Sequence, residues 1–235
     1  MESFALSTIG LKRNENQDRY LVKEFKDGTV LLAIADGMGS SAGGGVAAQM
    51  VMDSLDTLDG RDISSHSIME KLVLESDQAI SCKASEDACM EDMGATLTAV
   101  VIKDGTAQWV HVGDSRLVAF EKGRLRFITK DQNMAWFLAD EGEIAASEVC
   151  GHPGLRLLDQ CVGCGDCEPV TGALEISPGA LFMLTTDGVH DHITPGALAR
   201  ILAGEESLEH KARAVMEIIR KAGSTDDSTI VMAII

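Results

Sequence analysis

Three short apolar runs each end in an aspartate beside a glycine: Ala33-Ile34-Ala35-Asp36-Gly37, Val110-His111-Val112-Gly113-Asp114 and Leu184-Thr185-Thr186-Asp187-Gly188. A fourth carboxylate, Asp226, precedes the last apolar run in Thr225-Asp226-Asp227-Ser228-Thr229. Strand ends are rigid supports, and a glycine beside them lets carbonyl oxygens and waters approach closely. Carboxylates converging from such supports repel one another unless a cation sits among them, and an all-oxygen donor set suits Mg²⁺ or Mn²⁺. Taken singly, each Asp-Gly pair reads as an ordinary turn.

The supports are legible along the chain. Residues 4–8, 19–24 and 29–35 read as strands, the last two joined by a turn at Lys26-Asp27-Gly28. Strand character stops at Asp36-Gly37-Met38-Gly39, and residues 40–45 are small and flexible. Val46, Met50, Val51, Leu55 and Leu58 stand at helical spacing and predict a helix over 46–58; a second runs over 65–82 with Ser65 as its N-cap. A meander follows over 95–103, 106–112, 116–121 and 125–128. Residues 133–141 read as helix, 142–172 as irregular and Gly-rich, and 181–186 as a buried strand. Helices over 194–203 and 205–222 precede a final strand at 229–235. Hairpins dominate and βαβ alternation is not sustained, which predicts an antiparallel α+β fold. No repeat and no low-complexity linker interrupts residues 1–235, so one continuous domain is expected.

Composition narrows the function. With 235 residues, 45% of them hydrophobic, the chain can bury a core and is not intrinsically disordered. A membrane span needs about 20 apolar residues in a row, and no run approaches that. The first residues lack a basic segment followed by an apolar one, so no secretory signal is read, and the expected location is the cytoplasm. The six cysteines are accordingly expected as reduced thiols. A net charge of −17 disfavours nucleic acid and anionic lipid as partners. Aromatic residues are only 4%, so the core must be aliphatic and Met-rich.

Arg13-Asn14-Glu15-Asn16-Gln17-Asp18 changes the weight of the Asp-Gly pairs. It resembles the R-x-x-N-Q-D motif that opens the metal-dependent Ser/Thr protein phosphatases of the 2C type. Six further segments resemble that family's motifs in the family's order: Asp36-Gly37-Met38-Gly39, Gly94-Ala95-Thr96, His111-Val112-Gly113-Asp114-Ser115-Arg116, Thr129-Lys130-Asp131, Leu184-Thr185-Thr186-Asp187-Gly188-Val189-His190-Asp191 and Asp226-Asp227-Ser228-Thr229. The ordered set spans residues 13–229, nearly the whole chain, and is far more specific than any one motif. Ser40-Ser41 and Gly45 depart from the family's G-H and E, and Asp131-Gln132-Asn133 from its D-H-S.

The resemblance implies a four-layer α-β-β-α sandwich, two antiparallel sheets face to face with helix pairs outside. It implies two Mn²⁺ or Mg²⁺ ions, with Asp36 bridging both, the Gly37 carbonyl helping to hold one, and Asp187 and Asp226 holding the other. Asp18 would orient metal-bound water, and Asp114 and Asp191 with Asp187 would form a third, weaker site. The implied chemistry is hydrolysis of phosphoserine and phosphothreonine by direct attack of a metal-bridging hydroxide, with Arg13 clamping the phosphate through its planar fork. Arg13 has a plainer reading too, as a surface ion pair with Glu15. The implied partners are phosphorylated proteins and a cognate Ser/Thr kinase, for a monomeric bacterial enzyme. Three rivals stand beside it: a phosphoprotein-binding pseudophosphatase, whose mark would be loss of Asp36, Asp187 or Asp226; a phosphatase of anti-sigma-factor antagonists, whose members usually lack the segment corresponding to 131–172; and an enzyme acting on a small-molecule phosphoester. Some animal members carry histidine where Met38 stands; here His190 and His192 lie near the Asp187 segment.

Residues 131–172 occupy the position of the family's flap, and they hold Cys161-x-x-Cys164-x-x-Cys167, with Cys150 and His152 upstream. This spacing suits zinc or an iron–sulfur cluster, a redox pair, or a set of incidental thiols.

Overall fold

The computed structural model describes residues 1–39, 43–59 and 66–235. Among these, one five-stranded sheet runs in the order β10 (Val170–Glu175), β7 (Thr106–Val112), β6 (Leu97–Lys103), β3 (Val30–Ala35) and β2 (Arg19–Glu24). The other runs β1 (Glu2–Thr8), β12 (Ser228–Ile234), β11 (Leu181–Thr185), β8 (Arg116–Glu121) and β9 (Arg124–Phe127). Every neighbouring pair is antiparallel. A separate two-residue pair joins β4 (Gly37–Met38) to β5 (Gly94–Ala95).

The two-residue period of a strand sorts the apolar runs into layers. In β3, Val30, Leu32 and Ile34 face the opposite sheet, where they meet Phe182, Leu184 and Val231. Leu31, Ala33 and Ala35 face the other way, onto α1 (Gly43–Asp56) and α2 (His66–Glu86). In β12, Val231 and Ala233 point between the sheets, while Ile230 and Met232 meet α5 (Pro195–Leu202) and α6 (Leu208–Ala222). Strands buried on both faces read as continuous hydrophobic runs, and each Leu, Ile or Phe so buried contributes about 1.5–3 kcal/mol. The result is the helix–sheet–sheet–helix order expected.

α6 shows why its helix forms. Leu208, Ala212, Val215, Met216 and Ile219 line one buried stripe, Ser207 caps the His210 amide, and Gly223 ends the helix at φ +79°. α1 starts at Gly43, three residues earlier than the apolar spacing predicts. Its first turn presses on β4: a Cβ on Gly44 would lie 2.7 Å from the Gly37 carbonyl oxygen. The expected Ser65 cap and residues 40–42 lie outside the described residues.

Three features depart from expectation. Strand character resumes after Asp36 as β4. The region read as irregular ends in a strand, β10, whose pattern is broken by Gly172; a Cβ there would meet the Trp109 ring at 2.5 Å. The cysteines are not all reduced. Cys161 and Cys164 form a disulfide, while Cys82, Cys89, Cys150 and Cys167 are free. Gly163, at φ +111°, folds the chain back so that the two Cα atoms stand 5.7 Å apart, within disulfide range.

Candidate active site

The strand ends converge at one edge of the sandwich. Asp36 follows β3; Asp114 sits in the β7–β8 turn, where Gly113 takes φ +100°. Asp187 opens α4 (Asp187–His190) directly after β11, and Asp191 closes that turn, its amide donating to the Asp187 carbonyl at 3.0 Å. Asp226 precedes β12. Arg13, Asp36, Gly37, Asp114, Asp187, Asp191 and Asp226 line a single cavity of about 640 Å³. Asp18 lies behind it, 4% exposed, with Oδ2 accepting from the Thr229 hydroxyl at 2.6 Å and the Thr186 hydroxyl at 3.0 Å.

Burial and mutual repulsion raise several of these carboxylates. Burial first, then Asp18, Asp187, Asp114 and Asp226, holds the Asp36 carboxyl well above the usual carboxylate range. Burial raises Asp114 to about 8, with Asp187 adding to it. Burial lifts Asp187 to about 6, reinforced by Asp226 and Asp191. Asp18 is raised to about 7 by burial, against the two hydroxyl hydrogen bonds that pull it down. Asp18 Oδ1 and Asp187 Oδ1 are buried with no hydrogen-bond partner. Buried acceptor-only oxygens, facing like charges, fit divalent cations with oxygen preference.

Arg13 pairs with Asp226, not with Glu15. Its Nε and Nη2 reach Asp226 Oδ1 at 2.9 and 2.5 Å, while Glu15 stands 3.9 Å from Arg19. The loop carrying Arg13 is held at both ends by Asp227, whose two oxygens accept from the Gly10 and Gln17 amides at 2.8 Å each.

Two further lining residues receive no role from the sequence, Thr96 standing there only within the Gly94-Ala95-Thr96 motif. Thr96 hydrogen-bonds the Asp36 amide at 2.9 Å and faces the Ser115 hydroxyl at 2.8 Å. Arg156 reaches the cavity from the 131–172 segment, and nothing in the residue pattern marks it. That segment is fixed at its base: Asp131 takes a two-pronged ion pair from Arg116 at 2.8 and 2.6 Å, and Gln132 trades hydrogen bonds with Gly113 at 2.7 Å in both directions. The glutamine that departs from D-H-S thus ties the segment to the Asp114 turn. His192 lines the cavity, while His190 faces Arg116 in a neighbouring one and meets Thr185 Oγ1 at 3.1 Å.

Residues 12–228 match the family described as protein phosphatase 2C. The chain is 33% identical over 232 residues to the serine/threonine protein phosphatase PstP of Mycobacterium tuberculosis, covering 97% of this chain and 44% of that protein. It therefore spans less than half the length of that relative. It is 28% identical to a putative protein phosphatase 2C-type of Streptococcus pyogenes, over 95% of this chain and 93% of the other. Among solved structures, the catalytic domain of PstP in complex with two manganese ions superposes with a TM-score of 0.85 at 30% identity, covering 99% and 97% of the two chains.

Proposed function

The chain belongs to the protein phosphatase 2C family, and from that premise we propose that it hydrolyses phosphoserine and phosphothreonine on proteins. The observation that carries this reading is the convergence of Asp36, Asp187 and Asp226 on one cavity, with buried carboxylate oxygens that lack partners. Asp36, the Gly37 carbonyl, Asp187 and Asp226 would hold two divalent cations, and Asp114 and Asp191 with Asp187 a third. Manganese is the ion bound by the PstP catalytic domain. When bound, the ions neutralise the carboxylates and supply an acidified water for in-line attack on phosphorus.

The chain's own groups do the rest. Arg13, paired with Asp226 at the cavity edge, would offer its planar fork to the non-bridging phosphate oxygens when the cations hold that carboxylate. Asp18, held by Thr186 and Thr229, keeps its Oδ1 buried and without a hydrogen-bond partner, and would orient water held by the cations. Met38 offers no proton, so the leaving oxygen would take its proton from water or from another residue of the cavity.

The same reading makes the protein the counterpart of a Ser/Thr kinase in signalling, acting as a cytoplasmic monomer. Exposed free thiols at Cys82, Cys89 and Cys150 suit a reducing compartment, and a net charge of −17 opposes self-association. No helix among the described residues is long and apolar enough to cross a membrane. Phosphate release from a phosphothreonine peptide, measured with Mn²⁺, with Mg²⁺ and with excess chelator, tests the proposal. Turnover that persists in chelator overturns it.

A further inference from the structure

The disulfide occupies an unusual place. Cys161 is 2% exposed and lies against Gly94, where an added Cβ would come within 3.1 Å of its sulfur. Cys164 is exposed. The turn between them is pinned by buried Asp77 of α2, whose Oδ1 accepts from the Gly163 amide at 2.6 Å and the Gly165 amide at 3.1 Å. The third cysteine of the run, Cys167, also sits beside Asp77; burial, reinforced by that carboxylate, pushes its thiol up to about 12. Cys167 therefore stays protonated and does not attack the bond. A chain that keeps three exposed thiols free and joins one C-x-x-C pair has the layout of an exchangeable bond rather than a structural framework.

This turn leads straight to the cavity. Between the two cysteines, Val162 pairs with Ala95 in both directions, at 2.9 and 2.8 Å. Ala95 and Gly94 pair with Gly37 and Met38. The next residue, Thr96, binds the Asp36 backbone through its amide and its hydroxyl. Three adjacent backbone segments, 161–163, 94–96 and 36–38, thus link the sulfurs to Asp36 and the Gly37 carbonyl, with one segment between them.

We propose that Cys161–Cys164 is a thiol-exchange site for a dithiol reductant, and that its reduction loosens the Gly94–Ala95 layer that seats Asp36 and Gly37. One thiolate of the dithiol attacks the exposed Cys164 sulfur. The Cys161–Cys164 bond breaks, and Cys161 leaves with the electron pair and takes a proton. The dithiol's second thiolate then attacks its own sulfur in the mixed disulfide, and Cys164 leaves and is protonated. The protein gains two electrons and two protons, and the dithiol becomes a disulfide. Once the bond is open, the Asp77 hydrogen bonds, the Val162–Ala95 pair and the packing of Val162 hold a turn whose two glycines, at φ +111° and +90°, have much freedom to regain. The effect on the cation seat rests on the proposed function; the exchange itself does not.

The test uses the full chain with dithiothreitol as the dithiol. Native protein is alkylated before and after treatment and mapped by mass spectrometry, with hydrogen exchange at residues 94–96 and Mn²⁺ calorimetry on both forms. The expected result is new labelling at Cys161 and Cys164, faster exchange at 94–96, and an Mn²⁺ dissociation constant raised about tenfold, the scale of a lost support behind a ligand. The double variant Cys161→Ser/Cys164→Ser should match the reduced protein and ignore dithiothreitol. The single variant Cys164→Ser, altered at an exposed position, should do the same if the double variant folds poorly. Labelling that appears only after unfolding overturns the exchange site. New labelling with unchanged exchange at 94–96 overturns the coupling. None of these readouts requires phosphate release, so a failure of the phosphatase reading is seen separately, in the peptide assay.

Discussion

Thr96 grips Asp36 from both sides of its backbone. The Thr96 amide donates to the Asp36 carbonyl at 2.9 Å, and the Asp36 amide donates to the Thr96 hydroxyl at 2.9 Å. The same hydroxyl faces Ser115, next to Asp114, at 2.8 Å. One buried side chain thus fixes the spacing between two strand ends that carry carboxylates.

Replacing Thr96 by valine keeps the shape and removes that link. The Asp36 amide and the Ser115 hydroxyl lose a buried partner, which should cost about 1–3 kcal/mol in denaturant unfolding. Mn²⁺ affinity should fall at least about tenfold, because the ligand's support is gone. Thr96→Ser should retain most of both. A valine variant with unchanged affinity would mean that Asp36 is positioned by other contacts.

The repulsion among the carboxylates makes a stability prediction that opposes the functional one. Asp36→Asn should abolish phosphate release yet raise the melting temperature of chelator-treated protein, since one of five mutually repelling groups is neutralised. Wild type should gain about 3 kcal/mol at a hundredfold excess of Mn²⁺ over its dissociation constant, and the variant much less. Calorimetric melts with and without Mn²⁺ decide; an unfavourable shift in the metal-free variant contradicts the account of the site.

Arg13 should separate phosphate binding from cation binding. Arg13→Ala is expected to lower kcat/KM on a phosphopeptide by about tenfold to a hundredfold, the worth of charge-assisted hydrogen bonds, while calorimetric Mn²⁺ affinity changes little. Arg13→Lys should recover only part, because an ammonium lacks the fork. Equal activity of the lysine variant and wild type would remove the clamp.

His111 carries the clearest pH dependence away from the cavity. Its Nε2 meets the Lys130 carbonyl at 3.0 Å and its Nδ1 the Thr98 hydroxyl at 2.9 Å, and burial lowers its pKa from 6.5 to about 4 despite the nearby Asp131 carboxylate, which is itself paired with Arg116. The folded state therefore disfavours the proton. This contribution to stability is complete above pH 6.5 and is lost as the pH falls toward about 4. The loss between pH 7 and pH 5 should be about 2 kcal/mol, read by denaturant unfolding of Mn²⁺-saturated protein. An imidazole NMR signal titrating near 6.5 would contradict it.

Much of the site was legible because its chemistry sits in short contiguous motifs. Asp36, Asp114, Asp187, Asp191 and Asp226 were each marked by their own neighbours, and all reach one cavity. The helix–sheet–sheet–helix order followed from the family's motif order, whereas the apolar spacing alone predicted only an antiparallel α+β fold. What stayed hidden depends on distant partners. Strand β10 is broken by Gly172, and that gap makes sense only once Trp109 fills it. Arg156 belongs to the cavity through the course of a 40-residue segment whose local pattern is irregular. The cysteine pairing could not be read from spacing, because C-x-x-C serves metals and disulfides alike.

The position of β12 between β1 and β11 has a consequence in time. Asp18 is completed by the hydroxyl of Thr229, 211 residues later in the chain. At ribosomal rates of about 5–20 residues per second, roughly 10–40 s separate the emergence of the two. Throughout that interval β1 has no neighbour in its sheet, and Asp18 and Asp36 face no closed cavity. A nascent chain stalled before Thr229 carries all of these carboxylates but lacks the hydroxyl that completes Asp18. The buried setting of Asp18 is thus finished only when β12 enters the sheet between β1 and β11.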